Sequence, residues 1–384
     1  MKIGLYIKDI LYATGGTESY TVRMAQILTS IYQDAEIYFV SECYDKKNVP
    51  ANNEFVKILN SKYGTKLDDK SISLLPIHGF YKNKIRSMLL RKKIENASKS
   101  FDLFFYCSRG HYMFKAKKNI AIIHFPMERL ENIHYKSNFI IKRIMAHKDT
   151  VYANSYDMFL PNSIFTQGFL EKKWPEIPES KIKLLYPPVI QIPQINCERK
   201  NQIFVCSRIE RDKNLESLID AFRKSDFLTS NYSLVIAGGS DEGSLYLPEL
   251  QDYAKGCNIK IFENATFNQI SQFYNESTFF WHCKGYGVDE NKDPYKCEHF
   301  GITTVEAMSV GCIPVVINKG GQKEIVTDDC GEKWLTLEEL IEKTEKLAKN
   351  SLLQKEYSEN CRKRAKDFLI DAFSENLNKL LGTE

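Results

Sequence analysis

The chain has 384 residues, of which 43% are hydrophobic and 27% charged, and such a length suits two globular domains better than one core. It has no run of about 18 apolar residues for a transmembrane helix. Its ten cysteines form no C-x-x-C pair, which gives no zinc or redox motif and is typical of reduced cytosolic thiols.

The net charge of +4 is divided unevenly along the chain. Residues 1–190 carry 29 Lys and Arg against 18 Asp and Glu, and the remainder is acidic. We therefore expect an anionic partner for the N-terminal half. The opening MKIGLYIKDILYATGG lacks a small-residue cleavage site, so it is interpreted as a first strand and not as a signal peptide.

Short apolar segments alternate with a helical pattern in the first half, which is typical of an α/β domain with a parallel sheet. The pattern predicts a helix from Glu18 to Tyr32 and strands at 2–7, 36–41, 103–107 and 120–125.

Two features of this half lie where a ligand would bind. Gly15 and Gly16 open the first helix and allow close approach of the backbone to a ligand, although a simple loop-to-helix turn explains them as well. His124 ends the fourth predicted strand, and a structural histidine is the alternative there.

Residues 82–99, KNKIRSMLLRKKIENASK, form the most basic stretch. Ile85, Met88, Leu89 and Ile94 recur near helical spacing among seven Lys and Arg. Such a helix can lie on an anionic lipid surface, or it can be a solvated helix that packs its apolar stripe on its own domain. Nucleic acid is not expected, because no stacking aromatic residues interrupt the run.

The second half repeats the alternation. Strands are predicted at 202–207, 232–238, 259–263, 278–283 and 313–318, with helices near 214–224, 245–255, 268–276 and 304–310. The proline-rich stretch 184–202 is the linker candidate. We therefore predict two doubly wound, Rossmann-like α/β domains, 1–190 and 191–360, that face each other across a cleft, with ligands at the carboxyl ends of the strands. A C-terminal helix at about 360–384 could pack back on the first domain.

Arg208 and Lys213 follow the first strand of the second half. Two cations at the carboxyl end of a strand suit the phosphates of a nucleoside diphosphate. A salt-bridged surface turn is the alternative, because Glu210, Arg211 and Asp212 lie between them.

The stretch CEHFGITTVEAMSVG, 297–311, places Glu298 before a Phe300–Gly301 turn and Glu306 in the helix that follows. Backbone N–H groups at such a helix start bind anions. Glu306 could simply cap the helix, but that does not explain Glu298. Two carboxylates that flank a phosphate-binding turn fit a nucleotide-sugar, with ribose at one end and hexose at the other.

Several other kinds of site are excluded. There is no G-x-x-x-x-G-K-[ST] loop, no G-x-S-x-G and no H-E-x-x-H, and Gly285-Tyr286-Gly287 lacks the third glycine of a dinucleotide fingerprint. Asp289, Glu290 and Asp293 have no ordered ligand spacing. We expect a flexible, solvated insertion there and no metal site.

Five motifs together resemble the retaining, GT-B-fold glycosyltransferases of family 4. They are E-(x)7-E in EHFGITTVE, R-(x)4-K in RIERDK, the GGTE loop, H-x-P after the fourth strand, and YPPV at the linker. The resemblance covers essentially the whole chain. EHFGITTVEAM followed by GGQKEIV is most similar to members that build lipid-linked oligosaccharides and bacterial surface polysaccharides, including mannosyltransferases.

The resemblance implies a role for each matching position. Glu298 would bind hydroxyls of the donor hexose and Glu306 the ribose. Arg208 and Lys213 would neutralise the leaving diphosphate, with the backbone N–H groups of Phe300, Gly301 and Ile302. Gly16 would approach the phosphates or the acceptor, and His124 would contact the donor sugar. Residues Phe262 to Asn264 would enclose the base. His299 departs from the proline or glycine of many members.

The resemblance also implies a metal-independent, retaining hexosyltransferase without a cofactor. The expected donor is GDP-mannose, with a UDP-hexose as the alternative, and the expected acceptor is a lipid-linked or polysaccharide glycan. The expected location is cytoplasmic and peripheral on the inner face of a membrane. A nucleotide-sugar epimerase of similar fold and a non-catalytic protein that binds nucleotide-sugar or glycan are the other functions considered.

Overall fold

The computed structural model of the chain describes residues 1–12, 15–44, 49–79, 83–133, 138–240 and 243–382. The chain forms two compact units. The first unit comprises Met1–Pro188 together with Ser374–Glu384, and the second comprises Val189–Phe373. Among the described helices, none combines the length and apolar composition needed to cross a bilayer.

Among the described residues before 188, the first unit contains six strands and six α-helices. They are β1 (Lys2–Tyr6), α1 (Gly16–Ile31), β2 (Glu36–Cys43), α2 (Asn52–Tyr63), β3 (Ile72–His78), α3 (Lys84–Ala97), β4 (Leu103–Tyr106), β5 (Lys118–Ile123), α4 (Leu130–Ile133), α5 (Phe139–Asn154), β6 (Met158–Pro161) and α6 (Ile164–Lys173).

The six strands form one parallel sheet in the order β3-β2-β1-β4-β5-β6. Apolar side chains cover both of its faces, as a sheet between two helical layers requires. Phe39 packs on Phe55 of α2 on one face. On the other face, Phe104 and Tyr106 join a buried cluster that also holds residues of α3, α5 and α6.

Two strands of this sheet, β3 and β6, were not predicted. β3 contains Pro76, which a strand tolerates because β3 lies at the edge of the sheet. β6 has only four residues and forms the other edge. Edge strands lack the long continuous apolar run of a central parallel strand, so their sequences carry a weaker signal.

The second unit repeats the design. Its elements are β7 (Lys200–Cys206), α7 (Leu215–Lys224), α8 (Asp226–Asn231), β8 (Ser233–Gly238), α9 (Tyr246–Tyr253), β9 (Ile259–Glu263), α10 (Phe267–Glu276), β10 (Ser277–His282), α11 (Ile302–Ser309), β11 (Ile313–Ile317), α12 (Gln322–Ile325), β12 (Glu332–Trp334), α13 (Leu337–Ala348) and α14 (Ser351–Ala365). The last helix, α15 (Ile370–Leu381), begins here, and its residues from Ser374 onward group with the first unit.

The second sheet is also parallel, in the order β12-β11-β10-β7-β8-β9. Alternate residues of β7 point to opposite faces: Ile203 and Val205 join a core with α7, α9 and α13, while Phe204 joins a second core with α10 and α11. The predicted doubly wound α/β fold is therefore confirmed in both units. The three-residue β12 was missed.

Helix α7 illustrates why the sequence adopts this fold locally. Leu215, Leu218, Ile219 and Phe222 recur at the spacing of one helix face, and all four are buried. Because α7 directly follows the loop after β7, this anchoring fixes the position of the charged residues in that loop.

Candidate functional site

The loops that follow the strands of the second sheet meet at its carboxyl edge, because all six strands are parallel. The Ile209 N–H donates to the Gly239 carbonyl at 2.7 Å, and the Asn264 N–H donates to the Gly238 carbonyl at 2.8 Å. A side chain at Gly238 would place its Cβ 1.7 Å from the Ser207 carbonyl oxygen. The loops after β7, β8 and β9 are thus held in tight mutual contact.

Two lysines form the cationic part of this edge. Lys213 follows β7 and Lys284 follows β10, and their ammonium groups lie 3.8 and 3.7 Å from the same Oδ2 of Asp212. Only 11% and 16% of the two side chains are exposed. Burial lowers the pKa of the Lys213 ammonium, the Glu298 carboxylate opposes this shift, and the nearby Lys284 charge adds to it.

Glu298 lies beside this lysine pair. Its Oε2 is 3.6 Å from His282 Nε2, at the end of β10. Burial alone would raise the pKa of the Glu298 carboxyl, but the neighbouring His282 imidazole and the charges of Lys284 and Lys213 hold it well below its usual range. Glu298 is therefore ionised at neutral pH and can accept hydrogen bonds from hydroxyl groups.

Arg208 has a different setting from the lysine pair. Its side chain is largely exposed and pairs with Glu210 at 2.5 Å. The salt-bridged turn considered from the sequence is thus present around Arg208. Arg208 would have to exchange Glu210 for a phosphate in order to act on a ligand.

The turn before α11 offers backbone donors. Within the described ranges, no residue accepts a hydrogen bond from the N–H groups of Gly301, Ile302 or Thr303. Gly301 has φ +125°, and a Cβ there would lie 2.5 Å from Nε2 of Gln322. Glycine is therefore required by both conformation and space, and the N-terminus of α11 can hold an anion.

Two glycines after β11, Gly320 and Gly321, pack against the backbone of this turn. Gly320 has φ +60°, and a Cβ there would lie 2.1 Å from the Glu298 carbonyl oxygen. The Gly321 N–H donates to that same carbonyl at 2.9 Å. Gly320 and Gly321 thus let the loop after β11 pack directly on the backbone that carries Glu298.

The prediction of a flexible, solvated insertion around residues 285–297 is wrong for Glu290. Its carboxylate accepts a hydrogen bond from the Gly320 N–H at 3.0 Å and pairs with Lys323 at 2.6 Å. Asp289 and Asp293 do form the local surface pairs expected of a polar loop. Glu290 therefore connects the insertion to the glycine pair. Separately, no set of metal-binding side chains occurs in the described part of the chain.

Glu306 is the fifth residue of α11 and is not a helix cap. Its Oε2 accepts a hydrogen bond from the Tyr274 hydroxyl at 3.0 Å. Tyr274 is fully buried in α10, so the position of this carboxylate is fixed by packing.

The predicted base contacts lie at the end of β9. Phe262 packs on Phe273 with ring centroids 4.8 Å apart, so its ring belongs to the core. Asn264 has φ +50° and is exposed. Of this pair, Asn264 is the side chain that faces solvent.

The other predicted residues belong to the first unit. Gly15 precedes α1 and Gly16 is its first residue. A Cβ at Gly16 would meet nothing within 4 Å, so the fold itself does not need glycine there. Close approach of a ligand at Gly16 stays a prediction.

His124 follows β5 and packs edge-on against Tyr20, with ring centroids 5.2 Å apart. Burial and the charge of Arg109 lower its pKa to about 4, against the opposing effect of a hydrogen bond that the imidazole donates to the Cys107 backbone carbonyl. Its buried Nε2 has no hydrogen-bond partner among the described residues. The imidazole is thus neutral at pH 7 and retains an unused polar atom.

No role in the site was assigned from the sequence to His282, Tyr274, Lys284 or Gly320. Lys284 could have been found by applying to β10 the rule used for β7, since it lies two residues beyond the strand. The roles of His282 and Tyr274 depend on contacts between separate elements, which no local pattern reveals.

Comparison with known proteins gives consistent results. Residues 190–368 match the family of glycosyl transferases group 1. Alpha-1,3/1,6-mannosyltransferase ALG2 of Rhizomucor pusillus is 24% identical over 269 residues, which are 59% of this chain and 58% of that protein. The GDP-Man:Man(3)GlcNAc(2)-PP-Dol alpha-1,2-mannosyltransferase of Dictyostelium discoideum is 25% identical over 243 residues, 57% of this chain and 45% of that protein.

The chain therefore spans about half the length of these two relatives. Among solved structures, HepE from Anabaena in complex with UDP and glucose superposes with a TM-score of 0.67 at 15% identity, covering 100% of both chains. The matched family segment coincides with the second unit, which holds Lys213, Lys284 and Glu298. Residues 190–368 are thus similar to the glycosyl transferases group 1, and the chain has the GT-B fold and resembles mannosyltransferases.

Proposed function

We propose that this protein is a retaining glycosyltransferase that moves a hexose from a nucleoside diphosphate sugar to a glycan acceptor. The observation that carries the proposal is the ionised Glu298 beside the lysine pair Lys213 and Lys284, next to the open N–H groups at the start of α11. A carboxylate that can accept hydrogen bonds from sugar hydroxyls thus lies next to groups that can donate hydrogen bonds to phosphates, at one edge of the sheet.

The charges match those that develop during glycosyl transfer. Negative charge grows on the leaving diphosphate and positive charge on the sugar. Lys213, Lys284 and the start of α11 would stabilise the first, because preorganised donors at a buried site are more effective than water. Arg208 would also bind the leaving diphosphate once its ion pair with Glu210 is broken. Glu298 would hold hexose hydroxyls, and His282 would position its carboxylate.

The anomeric configuration is retained if the acceptor attacks and the diphosphate leaves on the same face of the sugar. The bond between the anomeric carbon and the phosphate oxygen breaks, and a bond to the acceptor oxygen forms. The acceptor hydroxyl proton passes to the leaving phosphate oxygen. In this proposal Glu306 binds the ribose, Asn264 lies near the base, and Gly16 and His124 of the first unit contact the donor.

GDP-mannose is the donor proposed first and a UDP-hexose second. The Dictyostelium relative is named for a GDP-Man donor and a PP-Dol-linked acceptor, whereas the Anabaena structure holds UDP and glucose. We propose a lipid-linked or polysaccharide acceptor in cell-surface glycan synthesis. The reaction would take place at the cytoplasmic face of a membrane, with residues 82–99 in contact with it, although Lys82 lies outside the described residues.

A panel of labelled GDP-, UDP-, ADP- and dTDP-sugars, offered with lipid-linked acceptors, tests the proposal. Wild-type protein should transfer label from one donor. Glu298→Gln should lower turnover about 100-fold or more, because a group that binds the reacting sugar is lost, while affinity for the free nucleoside diphosphate stays nearly unchanged.

Other outcomes would contradict specific parts of the proposal. An epimerised donor without transfer would indicate the epimerase, and binding without either reaction would indicate a non-catalytic protein. Loss of nucleotide binding in Glu298→Gln would assign Glu298 to the nucleotide instead of the hexose. Glu338→Gln is a control, because Glu338 is an exposed carboxylate on α13 that pairs with Lys224.

A further inference from the structure

Helix α5 of the first unit exposes an unusual number of large apolar side chains. Phe139 and Ile140 are 75% and 67% exposed, and Ile141 and Ile144 are exposed as well. These residues occupy the N-terminal half of the helix, whereas Tyr152 near its end is buried. Contiguous exposed apolar residues of this size mark interaction surfaces in soluble proteins.

Helix α3 has the same arrangement. Ile85, Met88 and Leu89 are exposed, while Leu90 and Ile94 are buried. The apolar stripe expected from the sequence thus divides into a packed part and an unpacked part. Neither of the two alternatives drawn from the sequence covers the exposed residues of α5.

The two exposed regions lie on one side and at one end of the first unit. Residues of α3 and α5 enter the same buried cluster, so both helices pack on the same face of the sheet. Each helix leads from the carboxyl end of one parallel strand to the start of the next. Both helices therefore run antiparallel to the strands, and both N-terminal halves lie at the carboxyl edge of the sheet.

Helix length explains why these halves are uncovered. α5 has 16 residues and is about 24 Å long, whereas the four residues of β6 span about 13 Å. The helix therefore extends beyond the sheet that it covers. Tyr112 connects α3 with the segment that follows α5, since Arg91 lies over its ring at 5.4 Å and the Tyr156 hydroxyl donates to its carbonyl at 2.9 Å.

The exposed charges on both helices are cationic. α3 exposes Arg86, Arg91, Lys92 and Lys93, and α5 exposes Lys142, Arg143 and Lys148. The carboxylates of these helices are withdrawn: Glu95 is half-buried and accepts a hydrogen bond from the Met113 N–H, and Asp149 is buried beside Arg129. The ion pairs described for this unit involve other cations, such as Lys117 and Lys173.

We propose that this α3–α5 face, defined by Ile85, Met88, Leu89, Phe139, Ile140 and Ile144, docks on a membrane surface rich in anionic lipid. The apolar side chains enter the boundary between headgroups and acyl chains, and the surrounding Lys and Arg bind the headgroups. A symmetric contact with a second copy would bring like charges together, which disfavours self-association. The inference extends the proposed function, because it orients the first unit toward a lipid-linked acceptor.

Flotation with vesicles tests the proposal without any need for sugar transfer. Wild-type protein should float with phosphatidylcholine vesicles that contain about 30% phosphatidylglycerol, and not with phosphatidylcholine alone. Raising NaCl from about 0.1 to about 0.5 M should weaken binding through charge screening. Each cation neutralised in Lys142→Gln/Arg143→Gln should lower the partition coefficient about fivefold.

The apolar contribution has its own variant and control. Ile140→Ser/Ile144→Ser should reduce flotation at least tenfold, since two side chains no longer enter the bilayer. Leu245→Ser/Leu352→Ser removes two apolar residues of the second unit that are even more exposed and should leave flotation unchanged. Phe139→Trp should show blue-shifted emission only with anionic vesicles.

Three outcomes, besides a failure of flotation itself, would overturn the proposal. They are equal binding to neutral and anionic vesicles, wild-type flotation of the α5 variants, and concentration-dependent dimers that the α5 variants abolish. Nucleoside diphosphate affinity should be the same in all these variants. Failure of flotation with intact nucleotide binding would therefore reject the membrane surface and leave the proposed transferase standing.

Discussion

At the scale of single residues, the lysine pair is the most informative feature of the site. Two ammonium groups that share one carboxylate oxygen of Asp212 in a largely buried place repel each other. Buried like charges are costly unless other groups compensate them. Glu298 compensates in part, and a bound diphosphate would complete the neutralisation. Lys284 is therefore as well placed as Lys213 to bind it.

Replacement of Lys284 tests this reasoning. Lys284→Met should lower the affinity for GDP or UDP, whichever the protein binds, by about tenfold or more, because a charge-assisted hydrogen bond is lost. Isothermal titration calorimetry measures the change. Lys255→Met, at an exposed lysine paired with Asp252, is the control and should bind as wild type. Unchanged affinity in Lys284→Met would remove Lys284 from the phosphate site.

At the scale of elements, the site depends on two loops that pack backbone against backbone. The turn that carries Glu298 and opens α11 rests on Gly320 and Gly321 after β11. Glu290 fixes the glycine pair from the other side. The insertion between β10 and α11 thus has a structural task, which is to hold the Glu298 carboxylate and the start of α11 in a fixed relation.

Gly320→Ala should destabilise the protein and weaken nucleotide binding. The new Cβ would need a left-handed conformation and would collide with the Glu298 carbonyl. Gly256→Ala is the matched control, because Gly256 also has a positive φ, of +83°, but open space around it. Urea unfolding should show a loss about 2 kcal/mol greater for Gly320→Ala. Equal losses of unfolding free energy in the two variants would mean that the loop after β11 can move away from the Glu298 carbonyl.

At the scale of the whole molecule, two units of similar topology carry different chemistry. The second holds the ionised carboxylate and the lysine pair. The first holds the basic, apolar α3–α5 face and a histidine whose pKa is lowered to about 4 by burial. Each unit has its own buried core, so a buried titratable group affects the stability of the unit that contains it.

His124 should make the first unit sensitive to acid. Above pH 6.5 the imidazole is neutral in the folded and unfolded states and has no effect. As the pH falls from 6.5 to 4, only the unfolded state gains the proton, so stability is lost, up to about 3 kcal/mol for this group. Urea unfolding at pH 7 and pH 4.5 should show a smaller loss in His124→Asn than in wild type.

The companion variant His147→Asn, on an exposed histidine of α5, should keep the wild-type pH dependence. If His124→Asn and wild type lost the same stability between the two pH values, His124 would have to titrate near its ordinary pKa in the folded protein. Its burial against Tyr20 would then be less complete than the structure indicates.

The sequence by itself determined the α/β class, the central strands and the amphipathic helices, because periodicity and apolar runs are local properties. It also selected Lys213, which follows a strand, and Glu298 and Gly301, which lie at the turn before a helix. It did not reveal the edge strands β3, β6 and β12, whose short or proline-containing segments become strands only beside a formed neighbour.

Only the tertiary structure decided which partner each site residue has. His282 and Glu298 are 16 positions apart, and Lys213 and Lys284 lie on loops after different strands, yet the parallel sheet brings all four to one edge. The same holds for the exposed apolar halves of α3 and α5. An apolar residue is buried or exposed according to where its helix ends relative to the sheet, and that relation is set by packing, which no single segment encodes.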